Sequence, residues 1–165
     1  MTKLTRLDKL RLRLEAQNAC LGWAFGQIEN LDGPVFELGL GHGRTYDHLR
    51  TYLPDRDIFV FDREIDCYED CTPPDNRMFL GNIDETLRSA SKRFPRKAAL
   101  VHSDMGSYTE AHNAAMSAML SRLLPEVVAP QGLIVSDLPL VMDDAETLPL
   151  PPGALEGRYF LYRAL

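Results

Sequence analysis

Val35-Phe36-Glu37-Leu38-Gly39-Leu40-Gly41-His42-Gly43 reads as an apolar strand running straight into a glycine-rich turn. Glycines at alternate positions let the backbone take positive φ and approach a ligand with no Cβ in between. The dinucleotide fingerprint would need a third glycine at position 44, where the chain has Arg44. Glu37 stands two residues before the first glycine, at the carboxyl end of the strand, where open α/β sheets bind their ligands. A carboxylate there repels a pyrophosphate and attracts an ammonium group, so the turn leans away from NAD.

S-adenosylmethionine carries an ammonium and a sulfonium and no phosphate. Residues 37–43 resemble the first motif of the class I S-adenosylmethionine-dependent methyltransferases, acid-x-Gly-x-Gly-x-Gly, which is matched without a gap. The resemblance spans about Val35 to Asp137. It implies that Gly39, Leu40, Gly41, His42 and Gly43 lie along the methionine part of S-adenosylmethionine as cofactor, with Glu37 near its amino group.

Downstream of Gly43, Ile58-Phe59-Val60-Phe61 reads as a buried strand that ends in Asp62, nineteen residues beyond that glycine, and Arg63. An aspartate at that strand end can accept both ribose hydroxyls. Between the two strands, Arg44 to Leu53 has Tyr46, Leu49 and Leu53 at helical spacing before Pro54 stops it. A short third strand, Arg77 to Leu80, leads through Gly81 to Asn82 and Ile83. Asn82 fits two roles: an adenine-edge contact, which the family resemblance implies together with Ile83 packing on the ring, and the N-cap of a helix from Asp84 to Phe94.

A fourth strand, Ala98 to His102, ends at Ser103-Asp104-Met105-Gly106 and faces the same crevice as Glu37 and Asp62. His102, Asp104 and Tyr108 are the candidates for positioning an acceptor or removing its proton, and Ser103 for a cofactor contact. A helix from about Thr109 to Val128, with Ala115, Met119, Leu123 and Val127 on one stripe, precedes a fifth strand, Gly132 to Asp137. Alternating strand and helix predict a doubly wound, mostly parallel α/β sheet. Asp104 and Asp137 invite comparison with the two-acid magnesium site of catechol-type methyltransferases, but Leu138 stands where that family has asparagine, so no metal is expected. The Pro-Pro-aromatic motif of DNA amino-methyltransferases is also missing after the fourth strand.

The reading predicts one domain over 1–165, with helical residues 1–32, a cofactor-binding core at 33–138 and a shortened strand region at 139–165. Leu7, Leu10, Leu14 and Leu21 mark the helical segment, and Trp23 belongs to the core. Only Arg158 to Arg163 reads as a strand near the carboxyl end, which raises the expectation of a homo-oligomer pairing at an aromatic edge.

A net charge of −6 argues against a polyanionic partner, so no nucleic acid is expected, and a small molecule is the expected substrate. The basic run Lys3, Arg6, Lys9, Arg11, Arg13 reads as a solvated helix face. No run of 18 apolar residues exists, and Met1-Thr2-Lys3-Leu4-Thr5-Arg6 is followed by charge instead of an apolar core, so neither a membrane span nor a signal peptide is expected. Cys20, Cys67 and Cys71 fit reduced thiols in the cytoplasm. Two other functions remain in play: non-catalytic binding of S-adenosylmethionine or S-adenosylhomocysteine, and an NAD-dependent oxidoreductase with a variant loop.

Overall fold

The computed structural model describes residues 3–165; the part of the amino-terminal reading that rests on Met1 and Thr2 lies outside them. Seven strands form one sheet: β1 (Val35–Leu38), β2 (Ile58–Asp62), β3 (Met78–Leu80), β4 (Ala98–Ser103), β5 (Val128–Ser136), β6 (Ala145–Leu148) and β7 (Phe160–Ala164). Their order is β3-β2-β1-β4-β5-β7-β6. The first five are parallel, and β7 lies antiparallel between β5 and β6.

Helix α1 (Arg6–Gln27) starts at a capping box, with the Thr5 side chain accepting from the Asp8 N–H and the Asp8 carboxylate accepting from the Thr5 N–H. It is one helix, and its buried residues Ala16, Cys20, Leu21 and Ala24 share the face it lays on the sheet. Helix α2 (Arg44–Tyr52) covers the same face through Tyr46 and Leu49. On the opposite face lie α3 (Ile83–Arg93), through Leu87 and Ala90, and α4 (Glu110–Leu123), through Met116 and Leu120. Trp23 is half-buried against the α1 side of the core.

Two expectations are corrected here. The helix before β5 ends at Leu123, because Pro125 cannot donate to an α-helical ladder and the chain passes into a 3-10 turn over Leu124–Glu126. Its buried stripe is Met116, Leu120 and Leu123, with Ala115 exposed. The carboxyl-terminal strand pair is complete within the chain, since β6 supplies the strand that the proline-rich stretch concealed. The aromatic strand β7 is therefore interior, which removes the edge-pairing argument for an oligomer. Among the described residues, no helix is long and apolar enough to cross a membrane.

Candidate active site

The carboxyl ends of the parallel strands open into a cavity of about 830 Å³, within the range usual for small-molecule sites. One half is built by the turn after β1 and the ends of β2 and β3: Gly39, Leu40, Gly41 and His42, then Asp62 and Arg63, then Asn82 and Ile83. The other half belongs to the loop after β4, with Asp104, Met105, Gly106 and Ser107. Helix α1 closes one side with Arg13, Leu14 and Gln17, and α4 contributes His112 and Met116.

Asp62 braces the glycine turn. Its Oδ2 accepts from the Leu40 N–H at 2.8 Å and the Gly41 N–H at 3.4 Å, and its Oδ1 from the Arg63 N–H at 2.7 Å and the Glu64 N–H at 3.4 Å. Gly39 has φ +91°, and a Cβ there would lie 3.2 Å from Met105 Sδ and 3.3 Å from the Asp104 carbonyl oxygen. The turn after β1 and the loop after β4 thus pack together because position 39 has no side chain. Asn82 occupies the N-cap position of α3, yet its side chain makes no capping hydrogen bond, which leaves its amide on the cavity wall.

Several residues expected at the site lie elsewhere. Glu37 and His102 are register partners on β1 and β4, 1% and 0% exposed, beneath the turn and outside the wall. His102 Nδ1 lies 2.9 Å from Glu37 Oε2. Burial raises the Glu37 carboxyl beyond what His102 takes back. Burial would lower the imidazole, but the charge and hydrogen bond of Glu37, with Asp104 and Asp137 farther off, turn its shift upward. The far nitrogen of His102, Nε2, lies 3.4 Å from the Tyr159 hydroxyl and 3.4 Å from the Gln17 side-chain amide, so His102 touches the cavity wall only through Gln17.

Ser103 points to the other sheet face and is fully buried. Gly43, with φ +87°, packs on the Cys67–Cys71 segment and is absent from the wall; a Cβ would come within 2.6 Å of Cys71 Cβ. Tyr108 is fully exposed and also lies outside the wall. Of the three acid-base candidates, only Asp104 faces the cavity.

Asp104 receives both of its bonds from Arg13, whose Nη1 donates to Oδ1 at 2.9 Å and Oδ2 at 3.1 Å. Asp137 accepts from the Met105 N–H at 3.1 Å and the Gly106 N–H at 2.8 Å, fixing the loop. Burial, then the Asp104 charge, push Asp137 up to about 6 against those two hydrogen bonds. Arg13 was read from sequence as part of a solvated face; Gln17, one turn on, was not singled out. Their four-residue spacing, adjoining the buried Ala16 and Cys20, is the signal that would have turned both inward.

The family model described as S-adenosyl-L-methionine methyltransferase matches residues 4–164. The chain belongs to this family. A solved S-adenosyl-L-methionine methyltransferase from Silicibacter pomeroyi DSS-3 is 43% identical, over 99% of this chain and 100% of that one, with a TM-score of 0.95. Human methyltransferase-like protein 13, solved with S-adenosylhomocysteine, shares the fold at 12% identity and a TM-score of 0.58, over 90% of this chain and 80% of that one. A putative caffeoyl-CoA O-methyltransferase from Staphylococcus aureus shares it at 14% identity and 0.50, over 81% and 66%. No curated protein matches the chain.

The enzyme is thus an S-adenosylmethionine-dependent methyltransferase, and the cavity suits such a donor. A glycine turn open to close backbone approach, a carboxylate at the end of β2 and an uncapped amide after β3 stand along one half of it.

Proposed function

We propose that this methyltransferase acts on a small-molecule acceptor, with the methyl donor lying across the ends of β1, β2 and β3 and the acceptor over Asp104 at the end of β4. The observation that carries this reading is the division of one cavity between Gly39 to His42, Asp62 and Asn82 on one side and Asp104 to Ser107 on the other. The net charge of −6 supports a small acceptor over a nucleic acid.

In this reading Asp62 receives the ribose hydroxyls, which replace its two long contacts at 3.4 Å to Gly41 and Glu64. Asn82 meets the adenine edge and Ile83 its face, Arg63 borders the ribose, and the backbone of Gly39 to His42 lies along the methionine chain. Glu37, buried beneath the turn and paired with His102, does not line the cavity and is given no ammonium contact in this reading.

The donor supplies a methyl group already activated on a sulfonium. The protein's task is to align the acceptor with the carbon–sulfur bond and exclude water. The acceptor lone pair forms the new bond to carbon, and the carbon–sulfur electron pair returns to sulfur. Asp104 takes the acceptor proton where the acceptor carries one.

A turnover assay tests the reading, following S-adenosylhomocysteine release against small-molecule pools. Asp104→Asn should depress turnover by about 10²-fold or more while donor affinity stays within about twofold. Unchanged turnover in that variant would remove Asp104 from the chemistry. A protein that binds donor and releases no product with any pool would favour the non-catalytic alternative.

A further inference from the structure

The Arg13 guanidinium is anchored by one nitrogen only. Nη1 supplies both bonds to Asp104, while Nε and Nη2 have no protein partner among the described residues. The side chain is 39% exposed and lines the cavity. Asp104 thus holds the group in place by one corner and leaves a planar edge with free N–H donors. Such an edge matches the paired oxygens of a carboxylate or phosphate better than any other small group.

The position of the free edge points to the acceptor. In the strand order β3-β2-β1-β4-β5, Asp62 and Asn82 stand on one side of β1, whereas Asp104 stands on the other. Arg13 is tied to the β4 side through Asp104, and Ser107 and His112 line the same cavity. The Arg13–Asp104 pair is neutral in sum and the charge of Asp137 also acts on Arg13, so what an incoming anion meets there is the uncommitted N–H donors and not a net positive charge. Asp137 is occupied by the Met105 and Gly106 N–H groups and does not compete for Arg13 through a hydrogen bond.

We propose that the methyl acceptor carries a carboxylate or phosphate, bound by the free edge of Arg13 over the end of β4. This rests on the reading of the cavity as the methyl-transfer site. The same anionic chemistry could come from the carboxylate of the donor itself, and the experiment separates the two sources.

Protein saturated with S-adenosylhomocysteine is heated with matched probes: benzoate against benzamide, and phenyl phosphate against benzyl alcohol. Each anion should raise the unfolding midpoint and its neutral counterpart should not. Arg13→Met should abolish that difference while changing S-adenosylhomocysteine affinity by less than about twofold, and Arg13→Lys should keep part of it. Equal shifts from the neutral probes, or a shift that persists in Arg13→Met, would overturn the proposal. So would a loss of S-adenosylhomocysteine affinity of about tenfold or more in Arg13→Met, which would assign Arg13 to the donor's carboxylate. Failure of the unaltered protein to bind S-adenosylhomocysteine would bring down the methyl-transfer reading as well. Binding without any anion effect would bring down only the acceptor assignment.

Discussion

Glu37 and His102 face each other across adjacent parallel strands at 2.9 Å, fully buried, and neither reaches the cavity. An ionisable, hydrogen-bonded pair inside an apolar layer is costly to desolvate, and removing one member strands the other. Glu37→Leu alone should therefore lower unfolding free energy by about 3–5 kcal/mol. The double variant Glu37→Leu/His102→Leu should be less destabilised than Glu37→Leu. Urea unfolding of both checks this, and additive losses would mean that the two side chains do not act as a pair.

Gly39 and Gly43 should respond differently to alanine. Both sit at positive φ, so each substitution should cost about 1–3 kcal/mol of stability. At Gly39 the added methyl also pushes on Met105 and Asp104, where the two halves of the cavity meet. Gly39→Ala should weaken S-adenosylmethionine binding beyond what its stability loss explains. Gly43→Ala, which presses on Cys71 away from the wall, should bind normally once folded. Calorimetry with thermal melts separates the two effects.

Asp137 gives the protein a pH signature. Its folded value, raised to about 6 from 3.8, means that its contribution to stability is fully present below about pH 4 and lost as pH rises through about 6. Asp137→Asn, which stays neutral, should gain on the unaltered protein by roughly 2 kcal/mol as the pH moves from 4 to 7. Chemical denaturation at several pH values measures that difference, and a flat difference would show that Asp137 titrates normally.

The cavity wall at the ends of β1, β2 and β3 was legible in the sequence because its parts are local. A glycine turn after an apolar strand, an acid at the end of the next strand and an amide after the third all sit at strand ends, so fold and position come together. At the β4 end Asp104 was legible but the helix α1 side of the wall was not, because Arg13 and Gln17 reach Asp104 and His102 across 91 and 85 residues. No local pattern announces such a contact. Glu37 shows the limit from the other side, since its motif position was plain while the buried histidine that occupies it came from a strand 65 residues away. Strand β6 was hidden for another reason: Ala-Glu-Thr-Leu has little strand propensity of its own and is held by β7 alone.

The most direct test of the site is a calorimetric titration of the unaltered protein and Asp62→Ala with S-adenosylmethionine, with NADH as the control. The account predicts saturable binding of S-adenosylmethionine and none of NADH. It also predicts a loss of about 1.5–3 kcal/mol of binding free energy in a folded Asp62→Ala protein, from the charge-assisted hydrogen bonds to ribose. Equal affinity in the folded variant, or binding of NADH in place of S-adenosylmethionine, would contradict it.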